Sequence, residues 1–169
     1  MIPKLTLVLC DTCVIIKAFR TNSWKLLIKE HNIVISEIIK KETKYYKVSG
    51  KEQKIDLSNC DNARCISQTS SDLSAFRVAF NYFNIDKLDD GETELLSYLY
   101  NNKDTQNIQI CSEDAVVFKI LGRRLESNLC VSLEELLPKN KKLLRQFTKK
   151  FKIKELQKGL MESKELQKI

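Results

Sequence analysis

The sequence predicts a mixed α/β fold with a central parallel sheet, and three observations lead to that prediction. Short apolar runs without alternation are typical of strands buried on both faces, and three occur: LTLVLC (5–10), NIVIS (32–36) and IQICS (108–112). Segments in which apolar residues recur at helical spacing lie between these runs. With 169 residues, 43% of them hydrophobic, the chain is long enough to bury one substantial core.

The elements of the first half can be placed in order. After the strand at 5–10, a helix opens at Ser23, and after the strand at 32–36 another opens at Ser36, a good N-cap. Tyr45 and Tyr46 continue the helical spacing, so this second helix is expected to run to residue 48. Residues 48–70 are polar and irregular, and we expect a loop or an insertion there.

The second half begins with an amphipathic segment and continues with helices and strands in alternation. A helix at 89–102 has acidic residues in its first turn, which suits the helix dipole. The helix after strand three is expected to end near Gly122, a plausible C-cap. In order, we predict helix 70–84, helix 89–102, strand 108–112, helix 113–125, a fourth strand NLCVS (128–132) and a capping box SLEE (132–135).

Charge divides the chain into a body, 1–138, and a tail, 139–169. The tail holds 11 Lys/Arg against 3 Asp/Glu, whereas the body holds 18 against 19. After Pro138 the tail is expected to form a basic amphipathic helix with Leu144, Phe147 and Phe151 on one side. Such a tail indicates either an anionic partner, of which nucleic acid is the commonest, or a solvated helix face.

Several classes of function are excluded by what the sequence lacks. The single histidine, His31, lies at a predicted helix end, which disfavours Ser–His–Asp and Cys–His devices. Four glycines are too few and too scattered for a glycine-rich phosphate loop. No apolar run is long enough to span a bilayer and the N-terminal sequence shows no signal pattern, so we expect a cytoplasmic protein without a membrane segment.

Carboxylates remain as the groups that can carry chemistry. In an open parallel sheet, ligands bind beyond the carboxyl ends of the strands, and acids from four segments are expected there: Asp11, Glu42, Glu92 with Glu94, and Asp114. Each acid also has a structural explanation, because Asp11 and Asp114 can cap helices, Glu92 and Glu94 can favour a helix start, and Glu42 can be a surface acid.

Together these acids indicate a divalent cation. Like charges held close raise one another's pKa, and a hard cation relieves that cost. Mg²⁺ prefers oxygen ligands and needs few carboxylates, and Mn²⁺ accepts the same ligands. A cation held in this way can activate water and stabilise charge during phosphoryl displacement, so the predicted reaction is hydrolysis of a phosphodiester.

The ordered motifs LCDTCVIIKAF, VISEIIKKE, DDGETELL and ICSEDAVVFKIL resemble the PIN-domain family over residues 4–137, with 48–70 unmatched. The resemblance implies a Rossmann-like α/β/α three-layer fold and a Mg²⁺- or Mn²⁺-dependent endoribonuclease. It implies that Asp11, Glu42, Glu94 and Asp114 are catalytic metal ligands with Glu92 as a companion, and that Thr12, Ser36 and Ser112 support them. One departure is that no second Asp closely follows Asp114.

The resemblance also implies partners. Many members of the family are VapC-type toxins, held inactive by an antitoxin and often homodimeric, so a toxin role is expected here. RNA phosphates are expected to contact lysines near the acidic site and in the tail: Lys40, Lys41, Lys44, Lys149 and Lys150.

Three alternatives stay open. The first is a PIN-type RNA-processing nuclease, which would use the same site with a different partner. The second is a non-catalytic module that binds RNA or protein through the tail, and would not need a metal to do so. The third is a thiolate zinc protein built on Cys10 and Cys13, a CxxC pair, with Cys60 and Cys65, although the last two lack zinc-knuckle spacing.

Overall fold

A computed structural model describes residues 6–48, 50–57, 64–80, 85–104, 107–123 and 127–137. In chain order, its elements are β1 (Leu7–Cys10), α1 (Thr12–Arg20), α2 (Trp24–Glu30), β2 (Asn32–Ser36), α3 (Glu37–Glu42), β3 (Tyr45–Val48), β4 (Lys51–Lys54), β5 (Arg64–Ile66), α4 (Ser70–Ala79), α5 (Asp90–Asn102), β6 (Ile108–Cys111), α6 (Ala115–Arg123) and α7 (Leu133–Leu136), with 3-10 turns at Ile85–Lys87 and Ser127–Leu129.

The fold is mixed α/β around a parallel sheet in the order β5-β2-β1-β6. Strand β1 lies inside the sheet, and Leu9 is in register with Val34 on one side and Ile110 on the other. These three side chains are fully buried, as expected for the non-alternating apolar runs of a parallel sheet covered on both faces. The predicted α/β class and the three predicted strands are therefore confirmed.

Helix α5 is the most deeply enclosed helix element described. After the exposed Asp90, the nine residues 91–99 are all buried, and the helix packs against β1, β2, β6, α3 and α4. A helix enclosed on all sides is normally apolar on every face. Helix α5 nevertheless contains four buried polar residues: Glu92, Thr93, Glu94 and Ser97. Buried acids are costly unless they are partnered, so the sequence of α5 indicates a requirement beyond packing.

The predicted helix over residues 36–48 is wrong in its second half. Helix α3 ends at Glu42, and the chain then forms an antiparallel hairpin in which Tyr45 pairs with Lys54 and Val48 with Lys51. Gly50 lies in the turn with a φ of 79°, a left-handed conformation that glycine adopts without strain. The tyrosines favour a pleated strand, and this preference outweighed the apparent helical spacing.

The segment 48–70 was expected to be irregular, but it contributes two strands. Strand β4 completes the hairpin, and β5 extends the central sheet by pairing in parallel with β2, with Ile35 opposite Cys65. Only three residues form β5, too few for a periodic pattern to be visible in the sequence.

In place of the predicted fourth strand at 128–132, the structure has a single β-bridge. Cys130 forms an isolated parallel bridge with Ile110, and Val131 N donates to Ile110 O at 3.0 Å. A strand has no room to continue, because Ser132 caps α7 and forms the predicted capping box with Glu135. Helix α6 is described through Arg123, one residue past Gly122, near which the sequence predicts its end.

The predicted basic helix of the tail, 139–169, lies outside the described residues, as do residues 81–84 of the helix predicted at 70–84. Among the helices that are described, none combines the length and the apolar character that crossing a bilayer requires.

Candidate functional site

The direction in which the chain crosses the sheet reverses next to β1. From β1 the chain moves to β2 and then β5 on one side, whereas β6 pairs with the other side of β1. The carboxyl ends of β1 and β6 therefore flank a switch point, where open parallel sheets place their ligands. Asp11 follows β1 directly, and Ser112, Glu113 and Asp114 follow β6.

Asp11 is buried at this switch point and is held from both strands. Its Oδ1 accepts a hydrogen bond from Val14 N at 2.8 Å, which caps α1, and its Oδ2 accepts one from Glu113 N at 3.2 Å. Burial raises the pKa of Asp11, while hydrogen bonds from Ser112, Val14 and Glu113 oppose that rise and the nearby charge of Asp89 adds to it. The carboxyl of Asp11 therefore both caps α1 and lies at the candidate site, so its structural and its functional explanation are compatible.

Three helices begin at this edge, and an aspartate caps each of them. Asp11 caps α1, Asp89 Oδ1 accepts from Glu92 N at 2.7 Å to cap α5, and Asp114 Oδ1 accepts from Val116 N at 2.5 Å in the first turn of α6. Ser112 Oγ accepts from Asp114 N at 2.9 Å and fixes that loop. The positive ends of three helix dipoles therefore face the acids and offset part of their repulsion.

Glu92, in the first turn of α5, is perturbed by burial and by the neighbouring acids. Burial, followed by the charges of Asp114, Asp89 and Asp11, raises the pKa of Glu92 to about 8. Only 8% of the residue is exposed, and its Oε2 accepts from Asp89 N at 3.4 Å. These electrostatic effects place Glu92, Asp11, Asp89 and Asp114 in one group, which we call the acidic cluster.

Glu94, the preferred third acid in the sequence analysis, has a different neighbour. Its Oε1 accepts a hydrogen bond from Gln68 N at 3.0 Å, in the connection between β5 and α4. Two residues along a helix correspond to a rotation of about 200°, so Glu92 and Glu94 leave α5 in nearly opposite directions. Glu94 Oε2 is buried without a hydrogen-bond partner. Of the two glutamates, Glu92 is the one brought to the acidic cluster.

Glu42 reaches the margin of the cluster from α3. Thr12 Oγ1 donates to Glu42 Oε2 at 3.2 Å, which joins α3 to the start of α1. Gly91 permits the approach of α3 to α5, because a Cβ there would lie 2.8 Å from Ile39 Cγ1 and 3.5 Å from Glu42 Oε2. Glu42 is itself exposed, so it lies at the rim rather than in the interior.

The other residues that the sequence analysis assigned to the site either support it from farther away or lie outside the described residues. Ser36 is buried and its Oγ accepts from Ile39 N at 3.1 Å, so it caps α3 and positions the helix that carries Glu42. Lys40, Lys41 and Lys44 are exposed on and after the same helix. Lys149 and Lys150 lie outside the described residues.

Two residues of this edge were missed from the sequence. Asp89 was passed over although Asp89 and Glu92 have capping-box spacing, and they form that box here. Glu113 contributes through its backbone N–H, which donates to Asp11, and no side-chain pattern predicts a backbone contact. The capping box was the available signal for Asp89.

The acidic cluster suits a hard cation in its chemistry. Its donors are carboxylate oxygens, and among the described residues no lysine, arginine or histidine forms an ion pair with Asp11, Asp89, Glu92 or Asp114. Within that same part of the chain, no three His, Cys, Asp or Glu side chains converge closely enough to form a ready metal cage. The donor set therefore fits Mg²⁺ or Mn²⁺ with few protein ligands and several waters.

The thiolate alternative gains no support from the cysteine pair of the CxxC motif. Cys10 is buried at the end of β1, whereas Cys13 is exposed on α1. Burial and the charge of Asp11 raise the pKa of Cys13 to about 12, and the same causes raise the pKa of Cys10. Both thiols are thus disfavoured as thiolate ligands. Cys60 and the side chain of Cys65 lie outside the described residues.

Comparisons with family models, curated proteins and solved structures find no significant match to this chain. Its function is therefore argued from the acidic cluster and its surroundings.

Proposed function

We propose that the chain is a divalent-metal-dependent endoribonuclease with a Rossmann-like α/β/α three-layer fold of PIN type. The observation that carries this proposal is the acidic cluster at the switch point: carboxylates from three helix starts, two of them buried with raised pKa values and without a basic partner among the described residues. A fold does not retain such a costly arrangement for packing alone.

The topology supports the three-layer arrangement. The chain crosses the sheet from β1 to β2 and β5 in one direction and from β5 to β6 in the other. Because parallel crossovers are right-handed, the helices of the first crossovers and those of the return lie on opposite faces. The resemblance of the ordered motifs to PIN domains supports the same architecture.

The residues have distinct roles in this proposal. Asp11, Glu92 and Asp114 would hold the cation, directly or through water, with Glu42 at the rim and Glu94 as the alternative that the resemblance favours. A bound Mg²⁺ or Mn²⁺ would activate water and stabilise charge on the scissile phosphate. Ser112 and Glu113 hold Asp11 in place through the hydrogen bonds described above. Thr12 orients Glu42, and Ser36 positions the helix that bears it.

The cellular role in this proposal is that of a toxin controlled by an antitoxin, as the resemblance implies, with homodimerisation as part of the same expectation. An RNA-processing nuclease would use an identical site, and the two roles differ only in partner. A protein that copurifies in stoichiometric amount and inhibits cleavage would favour the toxin role. The non-catalytic module remains the competing class.

The test is cleavage of a labelled structured RNA by wild type and by Asp11→Asn, with Mg²⁺ or Mn²⁺ and then with EDTA. Asparagine also caps helices, so α1 should form in the variant. Loss of an outer-sphere partner of a metal site typically costs 10–100-fold, so we expect loss of a direct ligand to lower the rate at least about 100-fold. EDTA should abolish cleavage by wild type.

Val78→Ala serves as the control, since Val78 is 72% exposed on α4 and belongs to no feature of the site. If neither wild type nor Asp11→Asn cleaves any of a panel of RNAs with either metal, and both bind them equally in EDTA, the nuclease proposal is rejected in favour of the binding module.

A further inference from the structure

A second concave surface lies away from the acidic cluster, between α1, α2 and the hairpin of β3 and β4. The cavity measures about 500 Å³ and is lined by Phe19, Asn22, Trp24, Lys25, Ile28, Tyr46 and Asp56. This volume falls within the range of about 300–1,000 Å³ that is usual for small-ligand sites. None of these residues takes part in the acidic cluster.

The wall of this cavity is aromatic. Phe19 stacks on Trp24 with ring centroids 5.4 Å apart and an interplanar angle of 23°, and the ring centroid of Tyr46 lies 6.3 Å from that of Phe19. Tyr46 is held in place because its hydroxyl donates to Gln53 Oε1 at 2.6 Å. Planar rings in fixed orientations form a surface on which another flat ring can stack, whatever its hydrogen-bonding pattern.

The surroundings of the cavity are basic. Lys25 belongs to its lining, and the hairpin segment 44–54 holds four lysines and one glutamate. In the antiparallel register Tyr46 pairs with Gln53 and Val48 with Lys51, so Lys51 shares the face of Tyr46. Lys51 is exposed, two residues toward the tip, a distance of about 7 Å along the strand. Neither Lys25 nor Lys51 forms an ion pair within the described part of the chain.

We propose that this cavity binds a nucleobase of single-stranded RNA, with the base against the half-buried rings of Phe19 and Tyr46 and the adjoining phosphates on Lys25 and Lys51. The buried ring of Trp24 supports this surface by stacking on Phe19. Aromatic stacking beside basic side chains is the usual means of holding single strands. The polar side chain of Asn22, exposed in the lining, offers a partner for the edge of the base.

The position of the cavity relative to the acidic cluster supports one continuous path. Asp11 caps α1, and the helix carries Phe19 eight residues after Asp11, which corresponds to about 12 Å along the helix. A strand that enters the acidic cluster can therefore also reach the cavity. In this respect the inference rests on the proposed function, because it treats the cavity as the site for a nucleotide flanking the cleaved bond.

The test measures binding separately from cleavage. Trp24 is the single tryptophan of the chain and is buried in the cavity wall, stacked on Phe19, so its fluorescence reports a ligand that contacts Phe19. The full chain is titrated in EDTA with a short labelled oligoribonucleotide. The titration is repeated with a set of oligoribonucleotides of the same sequence, each of which lacks the base at one position. We expect the fluorescence to change with the intact strand, and one abasic position to weaken binding about tenfold.

The variants separate the cavity from the outer face of the hairpin. Tyr46→Leu should weaken binding about tenfold or more, whereas Tyr46→Phe, which keeps the ring, should bind like wild type. Tyr45→Leu is the matched control, because Tyr45 is the preceding residue of the same strand, 55% exposed and on the opposite face. Lys25→Gln and Lys51→Gln should each reduce the dependence of log K on log salt by about 1.

The outcomes distinguish the inference from the proposed function. If Tyr45→Leu weakens binding more than Tyr46→Leu, or if Trp24 fluorescence does not respond to bound RNA, the cavity proposal is overturned even when the enzyme cleaves RNA. If wild type binds as expected but never cleaves, the cavity proposal stands and the nuclease proposal fails. Tm values show whether Tyr46→Leu is folded, and a folded Tyr46→Leu that binds like wild type also rejects the cavity.

Discussion

The acidic cluster and the aromatic cavity differ in how the fold assembles them. The cluster draws its carboxylates from the ends of two strands and the starts of three helices, over residues 11 to 114. The cavity is built from a shorter stretch of the chain, residues 19 to 56. One is buried and negatively charged, whereas the other is open, aromatic and bordered by lysines.

This difference indicates a division of labour for a polyanionic substrate. Carboxylates repel phosphates, so the acidic cluster supplies little affinity for RNA until a cation is present. Stacking surfaces and lysines supply affinity without a cation and without sequence preference. Binding and cleavage should therefore be separable by mutation, and the following predictions concern residues at or beside the acidic cluster or on the hairpin that borders the cavity.

The largest effect should distinguish the two glutamates of α5. Glu92→Gln should lower the rate of RNA cleavage at least about 100-fold, because it removes a carboxylate of the acidic cluster. Glu94→Gln should lower it less than about tenfold, because the amide oxygen can still accept from Gln68 N. Single-turnover cleavage at saturating Mg²⁺ or Mn²⁺ measures both. If Glu94→Gln has the larger effect, the ligand set is the one that the resemblance favours.

The next effect concerns the close approach of α3 and α5. Gly91→Ala should lower the free energy of unfolding by about 1–3 kcal/mol, because its Cβ would lie 2.8 Å from Ile39 Cγ1. Urea unfolding measures this change. Asn101→Ala, an exposed position near the end of the same helix, is the control and should be neutral or slightly stabilising. If Gly91→Ala is as stable as wild type, α3 can shift away from α5 at no measurable cost in stability, and Glu42 shifts with it.

A third effect is pH dependence. The pKa of Glu92 is about 8 in the fold, above its ordinary value of 4.5, so between these values the folded state holds a proton that the unfolded state has lost. Stability should therefore fall as pH rises through this window. At pH 8 in EDTA, Glu92→Gln should be more stable than wild type by on the order of 1 kcal/mol, or about 2–4 °C in Tm.

The control for this measurement is Asn101→Ala, which changes an exposed residue without a titratable group and should leave the pH profile unchanged. Added Mn²⁺ should raise the Tm of wild type more at pH 8 than at pH 5, since the cation and the protons compete for the same carboxyls. If the stability of Glu92→Gln and that of wild type change with pH in parallel, ionisation of Glu92 does not destabilise the fold.

The smallest effect lies in the ion pair of the hairpin. Lys47 Nζ and Glu52 Oε1 are 3.8 Å apart and both side chains are mostly exposed, so Glu52→Gln should change stability by less than about 1 kcal/mol. It removes the one acid of segment 44–54 and should tighten RNA binding about twofold in EDTA at low salt. Weaker binding would indicate that Glu52 orients Lys47 for contact with RNA.

Much of the architecture could be predicted because its signals are local. The apolar runs of β1, β2 and β6 and the caps of α3 and α7 are each contained in a few adjacent residues, and all were placed correctly. The hairpin and β5 were missed for the opposite reason. The adjacent aromatic residues at 45 and 46 are compatible with both a helical and a strand pattern. The three residues of β5 are too few to show either pattern.

The sequence by itself determined that acids follow the strands of a parallel sheet, since strand ends and caps are encoded within a few residues. Which of those acids meet was decided only by tertiary structure. Glu92 joins Asp11 and Asp114 while Glu94 contacts Gln68, because the rotation of α5 against the sheet depends on packing along its whole length. The aromatic cavity likewise exists only because α1, α2 and the hairpin pack together, which no local pattern specifies.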